Sequence, residues 1–490
     1  MKNFSRALIW LTISEIIFNA SGYVIHSVVG RLLGPADYGR YGLIVNLTTT
    51  VIILIGNGIP TAMSKYLAEI FETHPDRILG IKRKAILLQT GIMATVTAAF
   101  FLASPFIAAL LEDPSLTPLF QLSSLIIPSF AAASFYFSYF TGLHFFRLQA
   151  ALKTTRSITR MAFIILLAWY FGVQGAVAGY IISPLVVFGV AVIFDIVWTG
   201  KYFPAVRNRK SIDFPAKKLL DYAWPLTLFM LFYQLITSLD LFLVKALLQD
   251  DYRTGLYNAV ITVGNIPYYL FYALTIILLP AISKTSSSRD EAETRSLVNK
   301  SLRLLALVLF PTVTLLSAYA GPFIRLFYGH AYVDATASMS VFAIGNGFLT
   351  VFYVLAFAIS GAGLVMIPMY VSGVGLVASA ALNYFLIPPF GIVGSAVATT
   401  VVTFILMTGI LAFTDRHFKV RIPLKLWIVS FGSSAVLIGL ARLLPQGPFS
   451  FIISGATLFL LHFGILRLFG VLEDSDIAPL LKFLPTKPVK

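Results

Sequence analysis

The sequence of 490 residues contains no cysteine. This absence excludes disulfides, thiolate metal sites and cysteine nucleophiles. The sequence also lacks a GxxxxGKS/T nucleotide-binding motif, so we do not expect ATP to drive its activity directly. No histidine, aspartate and glutamate residues have the spacing of a metal site, and no catalytic group stands out. The sequence therefore predicts neither an enzyme nor a resident cofactor.

Charged residues are scarce as well. They make up 12% of the chain, against about 25% in a typical soluble domain. Hydrophobic residues account for 58%, and the mean hydropathy is +0.87. Apolar stretches of about 18 or more residues recur along the whole length, which predicts an all-α polytopic membrane protein. The first stretch is too long and too polar for a secretory signal peptide, so we expect it to be retained as a helix.

The apolar pattern predicts about fourteen membrane-spanning helices joined by short loops. They lie near residues 7–30, 40–62, 85–106, 116–141, 158–171, 174–198, 222–247, 256–282, 303–320, 335–359, 365–386, 391–413, 426–443 and 449–469. If the N-terminus is cytoplasmic, 30 of the 36 lysines and arginines fall on the cytoplasmic side. Such a positive-inside bias predicts that both termini are cytoplasmic. The net charge of +15 is therefore mainly a feature of topology.

An internal repeat divides the chain. The segment Phe171–Ala176 recurs at Phe390–Ser395, and Gly39-Arg40-Tyr41 has a counterpart in Gly255-Leu256-Tyr257. Two copies of a six-helix bundle with the same membrane orientation are typical of secondary transporters, which bind substrate between the halves. The predicted parts are an N-lobe at 1–200, a cytoplasmic linker at 201–221, a C-lobe at 222–413, and two extra helices with the C-terminal tail at 414–490.

Two segments carry a family resemblance. Val29–Tyr41 resembles the first-loop signature of prokaryotic polysaccharide transporters, the oligosaccharide flippases of the multidrug/oligosaccharidyl-lipid/polysaccharide exporter superfamily. Residues 238–259 resemble the seventh-span signature, except that Leu241 stands where the family often has arginine. The resemblance implies two pseudo-symmetric lobes in a V around a central cavity. It also implies alternating access that moves a polyprenyl-diphosphate-linked oligosaccharide to the outer leaflet.

A polar stripe lies on the first predicted helix. Glu15, Asn19 and His26 recur at helical spacing and therefore share one face. Charged and polar groups are costly in lipid, so this face should point into the protein. The stripe is either a site for a coupling ion or sugar hydroxyls, or a hydrogen-bonded packing surface between helices. A proton or a sodium ion is the expected coupling ion if there is one.

The seventh predicted helix carries a second polar set. Asp240 lies well inside it with Gln234 nearby, and Lys245 follows too far along the helix for an ideal ion pair with Asp240. Together with the first stripe, these residues are candidates for a substrate and coupling cavity, or for a structural ion pair. Arg31, at the outer end of the first helix, could bind a diphosphate through its guanidinium or anchor the helix at the interface.

A cluster of cations follows the fourth predicted helix. Arg147, Lys153, Arg156 and Arg160 lie where a diphosphate head group would enter from the cytoplasmic leaflet. Phosphate recognition requires such cations, but the positive-inside rule alone also predicts them. The cluster is therefore either a head-group entry site or a determinant of topology.

The sequence favours a flippase for lipid-linked oligosaccharides in a prokaryotic cytoplasmic membrane. We expect a monomer with membrane lipid as a partner, and glycan polymerases or glycosyltransferases as further candidate partners. Three other functions are alternatives to a flippase: a cation-coupled multidrug exporter, an integral-membrane glycosyltransferase or polymerase, and a non-transporting scaffold. Few acidic residues lie within the predicted spans, which disfavours the exporter. Short outer loops disfavour the enzymes, and polar stripes disfavour the scaffold.

Overall fold

A computed structural model of the chain describes residues 2–56, 58–70, 77–199, 215–288, 290–420, 424–447, 449–473 and 476. These residues form helices and contain no β-strand. The prediction of an all-α polytopic membrane protein is confirmed. Most of the predicted linker, residues 201–214, and the tail at 477–490 lie outside the described residues.

The chain divides into two compact units, residues 1–259 and 260–490. The first contains α1 (Lys2–Gly56), α2 (Gly58–Ile70), α3 (Ile78–Leu110), α4 (Thr117–Ser123), α5 (Ile126–Gly142), α6 (Phe146–Phe194), α7 (Ala216–Leu248) and most of α8 (Asp251–Gly264). The second contains α9 (Ile266–Ser287), α10 (Glu291–Leu304), α11 (Phe310–Ala318), α12 (Ala320–Tyr328), α13 (Thr336–Gly361), α14 (Met366–Phe418), α15 (Leu424–Leu443) and α16 (Ser450–Leu468).

Glycines divide the longest helices into pairs of spans. Ten described segments are long and apolar enough to cross a membrane, and three of them exceed 40 residues. Each of these three contains one glycine with non-helical dihedral angles: Gly34, Gly172 or Gly391. The three breaks separate the first span from the second, the fifth from the sixth, and the eleventh from the twelfth. With α9 carrying the eighth, the prediction of about fourteen spans is confirmed.

The internal repeat is visible in the backbone. Gly172 has φ 59° and ψ −139°, and Gly391, its repeat counterpart, has φ 57° and ψ −140°. This positive-φ conformation is accessible mainly to glycine. Three residues later, a Cβ on Gly175 would overlap the carbonyl oxygen of Leu167, and one on Gly394 would overlap that of Leu386. The repeated motif therefore encodes the same tight helix-to-helix turn twice.

An apolar core joins α2, α3, α5, α6 and α7 in the first unit. Leu219 of α7 packs into this core, which places the seventh span in the first compact unit. Within the same core, Lys82 forms an ion pair with Asp195, and the hydroxyl of Tyr136 lies 3.3 Å from the same carboxylate. Buried charges are tolerated when they are paired in this way. The lobe boundaries inferred from the repeat stay a prediction.

The last two spans pack on α11 in the second unit. Phe451 of α16 contacts the ring of Tyr319, which directly follows α11, and the ring of Phe323 in α12. Ser433 and His462 join α15 to α16 by a 2.9 Å hydrogen bond. Arg303 of α10 binds both carboxylate oxygens of Asp476, which follows α16, at 2.7 and 2.6 Å. These contacts make the C-terminal helices an integral part of the second unit.

Candidate functional site

Three cations line one face of α6. Lys153, Arg156 and Arg160 are separated by three and four residues, a spacing that stacks side chains along one side of a helix. Because α6 begins at Phe146, the two arginines lie about 15 and 21 Å along the helix axis from its start. We call these three residues the cation column. Arg156 is buried, and Lys153 and Arg160 are half-buried.

The cation column packs against α1. Lys153 forms an ion pair with Glu15. Nη2 of Arg160 donates to the backbone carbonyl of Phe18 at 3.2 Å and to the hydroxyl of Ser21 at 3.1 Å. Within the part of the chain that the structure describes, Arg160 therefore has neutral acceptors, and only Lys153 has a carboxylate. Three cations beside one carboxylate leave the column with a surplus of positive charge.

Arg156 has the most unusual surroundings of the three. The residue is 8% exposed, and its guanidinium lies 4.3 Å from the ring centroid of Phe130 and 5.3 Å from that of Phe18. Its Nε, like that of Arg160, is buried and has no hydrogen-bond partner among the described residues. Cation–π contacts stabilise a guanidinium less than a paired carboxylate does. The protein therefore holds a buried cation with unused hydrogen-bonding capacity.

The predicted stripe on α1 faces this region. A Cβ on Gly22 would lie 3.3 Å from Nη2 of Arg160, so the glycine leaves room for the guanidinium. Asn19 is half-buried one turn away. Nδ1 of His26 lies 2.9 Å from the hydroxyl of Tyr38. Glu15 and Gly22 thus contact the cation column directly, whereas His26 belongs to a neighbouring aromatic group.

The polar residues of α7 form two separate groups. Asp240 is 1% exposed and accepts a 2.9 Å hydrogen bond from the hydroxyl of Tyr257. Gln234, six residues before Asp240, donates to the hydroxyl of Ser238 at 2.8 Å. Lys245 instead takes part in an ion network nearer the end of the helix. The sequence placed these three residues in one cavity, and the structure assigns Lys245 different partners.

An ion network joins the helix ends that the charge distribution places outside. Nζ of Lys245 lies 2.9 Å from Asp113 and 2.5 Å from Asp251. Nε of Arg40 lies 2.8 Å from Asp251, and its Nη2 lies 3.8 Å from Asp113. The Lys245 side chain is 4% exposed, so water screens these charges weakly. We call these four residues the outer ion network.

Beneath the outer ion network, repeat-equivalent glycines contact each other. A Cβ on Gly39 would lie 2.5 Å from the carbonyl oxygen of Asp251 and 2.7 Å from the amide nitrogen of Gly255. A Cβ on Gly42 would overlap the side chain of Asn258. Only glycine allows helix backbones to approach this closely. The second half of α1 and the start of α8 therefore meet along their equivalent residues.

Asp113 stays ionised at neutral pH. Burial acts to raise the pKa of Asp113, but hydrogen bonds from Ser115 and Lys245 and the charges of Lys245 and Arg40 outweigh it. The net result is a pKa below the ordinary value of an aspartate. Asp113 therefore stabilises the folded state above its ordinary pKa of 3.8, and this contribution is lost as pH falls through the lowered value.

We expect Asp113→Asn to lower the melting temperature at neutral pH. The deficit relative to the unmodified protein should disappear as the pH falls below the lowered pKa of Asp113, because the carboxyl is then protonated in both the folded and unfolded states. Thermal unfolding in detergent, followed from neutral pH to below the lowered pKa of Asp113, measures this. A pH-independent deficit would contradict an electrostatic role for Asp113.

Two predicted residues lie apart from these groups. Arg31 and Arg147 are both exposed, at the end of the first span and at the start of α6. The sequence analysis also missed two partners that the fold supplies: Asp113, just before the short helix Pro114–Leu116, and Asp251, the first residue of α8. Their positions at helix starts are the signal that could have found them, and Asp251 also lies four residues before the second copy of the repeated Gly-x-Tyr motif.

Comparison with protein families agrees with the helical architecture. The model of a family described as "Polysaccharide biosynthesis protein" matches residues 4–286, more than half of the chain. The chain belongs to this family. It is 22% identical over 428 residues to a protein named as an O-antigen transporter in Shigella flexneri, and the match covers 79% of this chain and 94% of that protein.

Solved structures share the fold at low sequence identity. The lipid II flippase MurJ, in an inward closed conformation, matches with a TM-score of 0.73 at 17% identity, over 94% of this chain and 99% of the other. A multidrug resistance MATE family transporter of the MOP superfamily, in an inward-facing conformation, also gives 0.73, at 10% identity over 84% and 98%. The chain therefore has the fold of MOP superfamily transporters.

Proposed function

We propose that this membrane protein is a flippase that moves a polyprenyl-diphosphate-linked oligosaccharide across a prokaryotic cytoplasmic membrane. The observation that supports this proposal is the cation column, with its buried and incompletely hydrogen-bonded Arg156. Its three cations and one carboxylate leave two positive charges in excess. A diphosphate diester linking lipid to sugar carries two negative charges, which match this excess.

The chemistry of the column suits a phosphate. A guanidinium presents parallel N–H donors that bind two phosphate oxygens at once. A buried cation without a counter-ion is unfavourable in the empty protein, so an arriving anion recovers part of that cost. Lys153 could then exchange its Glu15 partner for a phosphate oxygen without leaving either charge in lipid.

Transport requires the outer helix ends to separate. In this proposal the outer ion network and the Gly39–Gly255 contact hold them together until the head group is released outward, while the prenyl tail stays in lipid. An inside-negative membrane potential favours outward movement by about 2.3 kcal/mol per charge per 100 mV. Both termini are cytoplasmic in this scheme, the protein acts as a monomer, and the enzymes that build or polymerise the glycan are its candidate partners.

A cation-coupled multidrug exporter is the second candidate, because the fold also matches a multidrug resistance transporter. Exporters of organic cations need negative charge at the binding site. The cation column would repel such substrates, and Arg156 would lack its anion. The charge of this region therefore favours a lipid-linked anion over an organic cation.

Translocation in proteoliposomes tests the proposal. A labelled polyprenyl-diphosphate oligosaccharide is placed in one leaflet, and its exposure to an impermeant sugar-modifying enzyme is followed. We expect exposure that depends on the protein. An absence of exposure, together with efflux of an organic cation against its gradient, would assign the chain to the exporters instead.

We further propose that Glu15 and Asp240 are the groups through which a proton or sodium ion is coupled to transport. Glu15→Gln and Asp240→Asn should each lower gradient-driven translocation by about tenfold or more, because neither amide can exchange a proton. Equilibrium binding of polyprenyl diphosphate should not weaken in either variant, and Glu15→Gln should strengthen it because Lys153 loses its competing carboxylate. Translocation rates with and without an imposed gradient measure the effect, and undiminished rates in both variants would remove these residues from coupling.

A further inference from the structure

One ion pair in the core of the first unit lies against aromatic rings. Lys82, in α3, forms this ion pair with Asp195, which directly follows α6. Nζ of the lysine lies 4.4 Å from the ring centroid of Tyr139 and 5.5 Å from that of Tyr136, both in α5. The hydroxyl of Tyr136 lies 3.3 Å from the carboxylate of Asp195. A single ammonium group therefore contacts a carboxylate and two aromatic rings that belong to other segments of the chain.

These four side chains are largely closed to water. The side chains of Lys82 and Asp195 are only 12% and 10% exposed, and both tyrosines are buried. Water therefore screens the charges weakly, and the two rings lie within the range of cation–π attraction. The cost of desolvating two charges often cancels the stability that a buried ion pair provides. Stability alone is therefore a poor explanation for this pair.

The internal repeat identifies counterparts of these residues in the second unit. The copies keep a constant offset in sequence over this part of the chain. It relates Gly172 to Gly391, which have nearly the same dihedral angles. The same offset relates Gly142, the last residue of α5, to Gly361, the last residue of α13. It therefore applies along α5 and along the second half of α6.

The counterparts in the second unit carry no charge. At the common offset, the counterparts of Asp195, Tyr136 and Tyr139 are, in this order, Thr414, Leu355 and Ala358. All three are fully buried, and the hydroxyl of Thr414 bonds to the carbonyl oxygen of Ile410 in its own helix at 2.7 Å. The second unit therefore fills the equivalent positions with neutral side chains. A carboxylate beside two phenols is a feature that the repeated architecture does not require.

The chemistry of this group suits an ammonium ion. Aromatic rings attract a cation through their negative faces, and a carboxylate beside them neutralises its charge. A divalent metal ion would need six or more oxygen ligands or a set of imidazoles and carboxylates. Lysine brings a compact charge with three N–H donors on a flexible stem. The stem of Lys82 enters from α3 and places its ammonium where a free cation would bind.

We propose that Asp195, Tyr136 and Tyr139 form a binding site for an ammonium ion, and that Lys82 occupies it as a built-in ligand. This site goes beyond the proposed flippase function and does not depend on it. Because its cation is covalently attached to α3, that cation cannot diffuse away. The docking of α3 on α5 and α6 is therefore independent of the ions in solution. Shortening the lysine should empty the site, and a free ammonium ion should then bind there.

Chemical rescue of Lys82→Ala tests this site without any lipid substrate. Propylammonium has the three carbons and the ammonium that the shortened side chain lacks. In N-methylglucamine chloride the variant should melt at a lower temperature than the unmodified protein, because Asp195 has lost the ammonium of Lys82. Replacing N-methylglucamine, whose cation is too large for the vacated space, by propylammonium at constant ionic strength should recover about half or more of this loss along a saturable curve. The unmodified protein should show no such response.

Lys82→Ala combined with Asp195→Thr is the matched control, because the threonine of the second unit then replaces the carboxylate that attracts the cation. Propylammonium should leave the melting temperature of this double variant unchanged. Lys82→Ala combined with Tyr139→Leu should still respond, but at concentrations about threefold to tenfold higher, since one cation–π contact is lost. No response in Lys82→Ala, or an equal response without Asp195, would overturn the site. If Lys82→Ala folds only when propylammonium is present throughout purification, the site is supported, and failure to fold in either salt overturns it.

Discussion

Replacing Arg156 by methionine should abolish polyprenyl-diphosphate binding and at the same time raise the stability of the protein. The guanidinium is buried against Phe18 and Phe130 without a carboxylate among its described contacts. Removing it deletes an uncompensated charge. Even replacing buried ion pairs by apolar side chains is often neutral or stabilising by about 1–4 kcal/mol, so the loss of an unpaired charge should stabilise the protein. Affinity for the anion should fall by about a hundredfold or more, because a desolvated charge contact is lost.

Arg303→Met is the matched control for stability. Arg303 is also a largely buried arginine, but its guanidinium binds Asp476 through two hydrogen bonds and donates to the carbonyl of Val471 at 2.7 Å. Its removal leaves the Asp476 carboxylate unpaired at 9% exposure, so this variant should be less stable. Its affinity for polyprenyl diphosphate should equal that of the unmodified protein.

Thermal unfolding and lipid titration of the two variants decide between a binding role and a packing role. Opposite changes in stability, with binding lost only in Arg156→Met, would identify Arg156 as a cation kept unpaired for an anion. A loss of stability in both variants with unchanged lipid affinity would mean that Arg156 is a packing residue. Arg156→Lys should bind more weakly than the unmodified protein, since an ammonium cannot make the bidentate contact.

The sequence was sufficient to predict the number of spans and the repeat. Span number follows from apolar length, and the turn at Gly172 recurs at Gly391 with the same dihedral angles because both motifs require glycine there. The presence of a cluster of cations at Lys153, Arg156 and Arg160 was also predictable from the sequence. Its charge balance was not. Which cation pairs with Glu15, and which remains without an anion, depends on how α1 packs against α6.

The partners of Lys245 illustrate the same limit of sequence patterns. Five residues separate it from Asp240, and this spacing correctly disfavoured a pair within one helix. Its partner Asp113 lies 132 positions away, and only the packing of the end of α7 beside the segment that follows α3 brings the charges to 2.9 Å. Periodicity describes the faces of a single helix. Contacts between residues of distant spans can be identified only from the packed structure.

Lys245→Met should open the outer helix ends. The substitution leaves Asp113 and Asp251 facing each other without the buried ammonium that neutralises them. Because both carboxylates retain partial exposure, we expect a loss of roughly 2–3 kcal/mol, below the usual cost of breaking a fully buried pair. Like-charge repulsion should then favour separation of the contact between α1 and α8. A conformational change of this kind makes buried residues beneath the network accessible from outside.

The absence of cysteine makes that accessibility directly measurable. Thr254 of α8 is fully buried next to the outer ion network, and Thr254→Cys introduces the only thiol in the chain. An impermeant maleimide added from outside should label this thiol about tenfold faster in the Lys245→Met background, if the opening equilibrium shifts by about 1.4 kcal/mol. Arg253→Met is the control: that side chain is 54% exposed and pairs with Asp250 at the surface, so its loss should change the labelling rate little. Unchanged labelling in Lys245→Met, despite a lower melting temperature, would mean that the network stabilises the fold without controlling access from outside.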